Sequence, residues 1–282
     1  MPSADTIRPA ATTQHTAVPM PSAATIRQAA AQFPPITLAE MDAVKLLNRI
    51  DSKYVTTQAT LLAVLADALK AGYRALETQG DKLSPYNSVY YDTPELRTFL
   101  DHHNKRLVRQ KIRTRVYVNS GDTFLEIKRK NNHGRTKKKR TQIATSELMD
   151  FTTNAAATAY LAQHSMFTAA ELSPALSTAF ERITLVNPQQ TERLTIDTAL
   201  KFENFRTGKR TDLQDAVIIE LKQDGRAQSQ MKGILLNHRV KELRISKYCI
   251  GTTLTCSAVK SNRFKEKVRA LEKIINKKIE VI

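Results

Sequence analysis

The chain has 282 residues, 41% of them hydrophobic, with 44 Lys and Arg against 27 Asp and Glu and a formal net charge of +17. That much apolar material builds one large domain or two small ones and excludes a fibrous or wholly disordered chain. The cation excess points to a polyanionic partner, with nucleic acid, phosphate-rich metabolites and an anionic membrane surface all open at this stage.

Residues 1–35 are rich in Ala, Pro and Thr and hold a near-duplicate, Pro2–Ala11 against Pro21–Ala30. The composition predicts a disordered tail, leaving 36–282 as the folded domain. Leu38, Met41 and Leu46 open the ordered region, and Leu61, Leu62, Leu65 and Leu69 at helical spacing predict an amphipathic helix over Thr57 to Ala71, ended near Gly72. Short alternating or apolar runs follow, predicting strands at Ser88–Tyr91, Val108–Val118, Thr123–Arg129, Lys137–Ile143, Ala179–Val186, Arg193–Asp197 and Ala216–Lys222. A second helix is predicted through Ser146–His164. A last basic amphipathic helix is predicted over Ser261–Ile282, with Phe264, Val268, Leu271 and Ile275 on the face that would cover the sheet's outer surface. Helices at the ends and between groups of strands make an α+β pattern. No run approaches a membrane-spanning length and no secretory signal is read. Cys249 and Cys256 suffice neither for a disulfide framework nor for a multi-thiolate zinc site. A cytoplasmic location is expected.

Side chains alternate faces along a strand, so Arg109, Lys111, Arg113 and Arg115 share one face and Ile112 and Val116 the other. The same period sets Glu126 and Lys128 against Leu125 and Ile127, Arg193 and Asp197 against Leu194 and Ile196, and Glu220 and Lys222 against Ile219 and Leu221. One such face is ordinarily solvated. Together, however, these faces are mostly cationic, and a solvated surface intersperses both signs. Turned inward in a barrel, they would need a polyanion to neutralise them. Arginine suits bidentate phosphate contacts and lysine acts as a point charge, so the ladder is suited to a phosphate chain. A divalent Mn²⁺ or Mg²⁺ takes one or two carboxylates with phosphate and water, which makes Glu220 the first candidate ligand and Glu126 the second. For either glutamate the alternative is an ion pair with a neighbouring cation.

Eight segments in order resemble the VTC domain, the polyphosphate polymerase domain family within the triphosphate tunnel metalloenzymes. They begin at Arg49-Ile-Asp-Ser-Lys-Tyr54, Tyr90-Tyr-Asp-Thr-Pro94, the run from Leu100 to Tyr117 and Phe124-Leu-Glu-Ile-Lys-Arg-Lys130. They continue with Gly134 to Arg140, Arg193 to Thr198, Ile219-Glu-Leu-Lys222 and Ile245-Ser-Lys-Tyr248. The resemblance implies an antiparallel β-barrel tunnel with flanking helices and one divalent metal on a tunnel glutamate, Glu220 by motif position. It implies phosphate ligands at Lys53, Arg113, Arg115, Lys128, Lys138, Arg140, Arg182, Arg193 and Lys247, to which the charged faces add Lys111 and Lys222. Lys53, Arg113, Arg115 and Lys247 are expected at the reacting centre. Relatives of this type transfer the γ-phosphoryl of ATP onto a polyphosphate chain, a reaction that needs alignment and charge neutralisation more than a covalent nucleophile.

One departure is informative. The wider superfamily often opens with two alternating glutamates and a lysine, whereas Arg49, Asp51 and Lys53 stand here. A two-metal hydrolytic site is thereby disfavoured, although an inorganic triphosphatase and a non-catalytic module binding polyphosphate or inositol polyphosphate stay as alternatives. His103 could contact a phosphate or carry a proton, or hold a structural hydrogen bond. Lys137-Lys-Lys-Arg140 would pass as a nucleic-acid patch, but its alternation into Ile143 reads as a strand, and no specific nucleic-acid partner is expected. The basic last helix leaves a membrane-surface role open. Any membrane partner would be another chain.

Overall fold

Lys53, Glu220, Arg182, Arg113 and Glu126 are spread over the chain, and one curved sheet sets them on a common face. The structure, a computed structural model, describes residues 23–43, 49–213, 215–225 and 227–282. The first copy of the N-terminal repeat and Leu46 lie outside the described residues.

In chain order the elements are α1 (Ala23–Ala31), β1 (Pro35–Ile36), α2 (Leu38–Ala43), β2 (Arg49–Thr57), α3 (Gln58–Lys70), β3 (Arg74–Leu76) and β4 (Ser84–Asp92). Then come α4 (Arg97–His103), β5 (Arg109–Tyr117), β6 (Thr123–Lys130), β7 (Thr136–Ile143), α5 (Ala155–His164), β8 (Ser173–Val186) and β9 (Glu192–Asn204). The chain continues with β10 (Arg210–Leu213), β11 (Ala216–Asp224), α6 (Gln230–Asn237), α7 (Lys247–Thr255) and α8 (Asn262–Ile275). The main sheet runs β2-β11-β9-β8-β4-β5-β6-β7 with every neighbour antiparallel. This is the expected α+β fold of tunnel type with flanking helices. The sheet is not hydrogen-bonded into a closed barrel, however: among the described residues no ladder joins β2 to β7. Register shifts at Tyr90/Tyr91 and at Ala179/Glu181 bend it into a trough, since an extra residue in one strand curves that strand locally.

The convex face is apolar, as the alternation requires. Val217, Ile219, Leu221, Leu194, Ile196, Ile183 and Leu185 bury beneath Leu61, Val64, Leu65 and Ala68 of α3 and Met231 and Leu235 of α6. The Thr57 side chain caps α3 by accepting from the Thr60 amide, and Gly72 at φ +78° turns the chain out of it. Farther along, Val89, Ile112, Leu125 and Ile127 pack against Phe151 and against Ala157 and Leu161 of α5.

Three expectations are corrected. The tail boundary at residue 35 is too late: Ile26 and Ala30 of α1 and Phe33 are buried in the α3 cluster, because three well-spaced apolar side chains suffice to seat a short helix even in Ala-rich sequence. The helix placed over Ser146–His164 is a 3₁₀ turn at Thr145–Leu148 followed by α5, since Asp150 and Asn154 bond to nearby backbone amides and interrupt the helix. The last helix ends at Ile275, with Asn276 in the left-handed region at φ +50°, and it does not cover the convex surface. Its Phe264 and Leu271 instead join Val55, Ile218, Phe202, Tyr90, Phe99 and the α7 residues Tyr248 and Ile250. Val55 and Ile218 share a strand face with Lys53 and Glu220, so α4, α7 and α8 plug one end of the trough.

Candidate active site

Antiparallel register brings the charged residues side by side. Glu220 of β11 stands opposite Lys53 of β2 and Thr195 of β9, and Lys222 opposite Asp51 and Arg193. Arg182 of β8 faces Asp197, Arg113 of β5 faces both Tyr90 of β4 and Glu126 of β6, and Lys111, Lys128 and Lys138 lie abreast on β5, β6 and β7. Directly opposed like charges destabilise a sheet, so that last row favours an anion lying across it.

Three carboxylates organise the cations. Glu220 receives Lys53 Nζ at 2.5 Å, with Lys222 Nζ 3.7 Å from its other oxygen. Asp197 takes a fork from Arg182, Nε to Oδ1 at 2.6 Å and Nη2 to Oδ2 at 2.9 Å, and is also paired with Lys247 of α7. Glu126 is held by Arg113, Nε to Oε2 at 2.7 Å, and by Lys138. Burial alone would raise all three acids, and in each the adjacent cations outweigh it and hold the group ionised well below the usual carboxylate range.

Arg115 and Lys111 have neutral supports. Arg115 donates from Nε to Ser88 Oγ at 2.9 Å and lies over the rings of Tyr86 and Phe180, and Lys111 Nζ reaches Ser246 Oγ, the N-cap of α7, at 2.7 Å. Arg113 Nη1 donates to Tyr90 Oη at 3.0 Å. The field is strongly positive. Burial, reinforced by Arg182 for both and by Arg193 for Lys222, outweighs the raising pull of Glu220 on Lys222 and of Asp197 on Lys247 and leaves the two amines at about 8. Arg115 is lowered to about 10 by burial and by Arg113. Burial would raise Tyr90, yet Arg113, Arg115, Lys111 and Lys247 bring its phenol down to about 8.

The expected site residues therefore fall into groups. Lys53, Lys111, Arg113, Arg115, Lys128, Lys138, Arg182, Arg193, Lys222, Lys247, Glu126 and Glu220 share the trough by strand register or by direct pairing with it. Arg140 stands on the same face but with its guanidinium 4.5 Å above the Phe124 ring. His103 is elsewhere. It is buried between Phe99 and Phe264, with Nδ1 3.1 Å from Asn104 Oδ1 and Nε2 accepting from the Arg263 amide, which is the structural hydrogen bond that its position just ahead of β5 left open. Sequence reasoning missed Tyr90, Ser88, Ser246 and the anchoring part of Asp197. Alternation places Asp197 on the charged face, but only the β8–β9 register aligns it with Arg182.

The residues fit a divalent cation held with substrate. Among the described residues no cluster of three or more His, Cys, Asp or Glu could hold a metal by protein groups alone. Glu220 is a single ionised carboxylate with a part-exposed side chain on a strongly cationic face, the donor that a hard cation uses when phosphate and water complete its shell. Glu126 is enclosed by Arg113 and Lys138 and is the poorer donor.

The VTC domain model matches residues 48–256, a span that takes in every strand from β2 to β11 and the whole of α7. The chain belongs to the VTC domain family. Membership makes it a polyphosphate-related tunnel protein of the phosphoryl-handling kind. Among solved structures, this VTC chain is similar to HpAC1 from Hippeastrum, described as having a dominant triphosphatase activity, at 15% identity over 73% of this chain and 95% of that one with a TM-score of 0.47. It is also similar to PH1819 from Pyrococcus horikoshii OT3, at 11% identity over 72% and 97% with a TM-score of 0.41, and to PH1012 from the same organism, at 8% over 71% and 99% with a TM-score of 0.39. No curated protein matches it significantly. Among the described residues no helix is long and apolar enough to cross a membrane.

Proposed function

We propose that the protein is a cytoplasmic, metal-dependent polyphosphate polymerase that transfers the γ-phosphoryl of ATP onto a polyphosphate chain lying in the trough. The observation that carries this reading is the arrangement of charge. Glu220, Asp197 and Glu126 are each already matched by two cations, and Arg115, Lys111 and Lys128 are present in addition. A face so over-supplied with cations along several strands suits an extended row of phosphates better than one phosphate group.

Arg113 and Arg182, each clamped by a carboxylate, would hold oxygens on either side of the transferred group, with little reorganisation as charge develops. Lys247 and Lys53 would neutralise it from α7 and β2. Glu220 would hold Mn²⁺ or Mg²⁺ together with phosphate oxygens, and the ion would supply charge neutralisation at the transferring phosphoryl. The attacking terminal phosphate carries no proton that demands a base, so a trough without a catalytic histidine is adequate. Hydrolysis differs in one respect: a triphosphatase must admit a water in line.

Incubation of the purified protein with ATP and Mn²⁺ or Mg²⁺, resolved by gel and ³¹P NMR, tests the reading. Long-chain phosphate with ADP supports the polymerase. Orthophosphate alone replaces it with a triphosphatase, and tight polyphosphate binding without turnover replaces it with a binding module.

A further inference from the structure

Beside the phosphate ladder, the Phe124 end of β6 carries a group of aromatic and amide side chains next to Arg140. Phe124 lies two residues before Glu126 on β6, on the same face, and Gln142 of β7 is its direct cross-strand partner. The Arg140 guanidinium covers the Phe124 ring at 4.5 Å, and the Tyr117 ring meets Phe124 edge-on with centroids 5.8 Å apart. Arg140 and Gln142 are exposed, and Tyr117 and Phe124 are half-buried. A cation seated over an aromatic ring beside an exposed amide is the composition of a base-stacking site: a guanidinium plane accepts any base face, and the amide offers a donor and an acceptor to a base edge. Single aromatic side chains are common on sheets. Here, however, the stack stands in register with Arg115, directly opposite Phe124, and so adjoins the phosphate ladder.

We propose that Tyr117, Phe124, Arg140 and Gln142 form a nucleobase shelf that seats the base of the nucleoside triphosphate, with Arg140 stacking on the base and Gln142 contacting its edge. This rests on the reading that the trough takes a nucleotide as phosphoryl donor. It sets a position, with the nucleoside at the Phe124 end of β6 and its phosphates beginning at Arg115, directly opposite Phe124.

The test compares ATP with inorganic tripolyphosphate, both measured by calorimetry in the presence of a chelator so that turnover does not intrude. Phe124→Leu keeps an apolar side chain of similar bulk and removes the π face, and Gln142→Ala removes the amide. The expected result is about a tenfold loss of ATP affinity in Phe124→Leu, because the ring that holds the Arg140 guanidinium against the base is lost, and a smaller loss in Gln142→Ala. Tripolyphosphate affinity should stay within about twofold in both, and Phe124→Tyr should bind ATP as the wild type does. Equal losses for both ligands would mean that Phe124 only shapes the phosphate wall, and no loss for either would mean that the base lies elsewhere; each outcome overturns the shelf alone. Wild-type protein that binds tripolyphosphate but not ATP would overturn the nucleotide reading and the shelf with it.

Discussion

Lys247 and Asp197 are ion-paired across the trough, joining the first residue of α7 to the middle of β9, where Arg182 holds the same carboxylate from β8. The pair ties a helix of the apolar plug to the cationic face, so the site depends on how α7 is seated as well as on the sheet.

Replacing Lys247 by Ala leaves Asp197 its Arg182 fork, so the protein is expected to fold with a loss of about 1.5–3 kcal/mol, the cost of one charged hydrogen bond. Turnover should fall at least about a hundredfold if the ammonium faces the transferring group, on the scale of one lost electrostatic contact. Chemical denaturation and steady-state rates of Lys247→Ala and Lys247→Arg measure both. A folded Lys247→Ala with full turnover removes Lys247 from the centre.

Gly251 sets the depth of α7. A Cβ there would lie 2.6 Å from both Leu176 Cδ2 and Phe202 Cδ1. Gly251→Ala gains helix propensity, but overpacking costs about 1–3 kcal/mol and outweighs it. The expected outcome is a lower melting temperature together with reduced turnover, because a displaced α7 carries Lys247 away from Asp197. Unchanged kinetics would show that the two ends of α7 are uncoupled.

Alkaline pH should weaken ligand binding and strengthen the empty fold. Lys222 and Lys247 titrate near 8 in the folded protein, below an unfolded chain's lysines at about 10.4, and Tyr90 also sits near 8, below about 10. Between those values the unfolded chain binds more protons, so these groups make the stability of the unliganded protein rise as pH increases from about 8 to 10. Polyphosphate prefers the protonated amines and the neutral phenol, so its affinity is fully present below pH 8 and lost above it. Melting curves at pH 7 and 9.5, with and without polyphosphate, should show the ligand-induced rise shrinking at the higher pH.

Glu220→Gln should separate metal from phosphate. The variant keeps the shape and removes one negative charge, so tripolyphosphate binding in chelator is expected to hold or tighten by a few-fold, whereas metal-dependent turnover collapses. Retention of wild-type metal dependence would move the metal to another ligand.

Ile26→Ala probes the N-terminal helix. Ile26 is buried in the α3 cluster, and such a truncation costs about 2–4 kcal/mol. A change below about 0.5 kcal/mol in urea denaturation would show that α1 adds nothing to the core.

Much of the site was legible because strands of the charged faces alternate strictly. Arg113 and Arg115 against Ile112, and Glu220 and Lys222 against Ile219 and Leu221, are fixed by the two-residue period of an extended chain. What alternation does not contain is register. The contacts of Lys53 with Glu220, Arg182 with Asp197 and Arg113 with Glu126 join residues 167, 15 and 13 positions apart, and each exists because a particular strand was slid into place beside another.

Local periodicity and composition specify the class of the fold and the face each charge takes, since both are properties of short segments. Packing of the assembled chain settles the rest: among the described residues the sheet stays open, α8 plugs the trough instead of cladding its back, His103 is enclosed by Phe99 and Phe264, and α1 belongs to the core. Those outcomes depend on which apolar surfaces remain uncovered once the strands have paired, a property of the assembled sheet that no single segment carries.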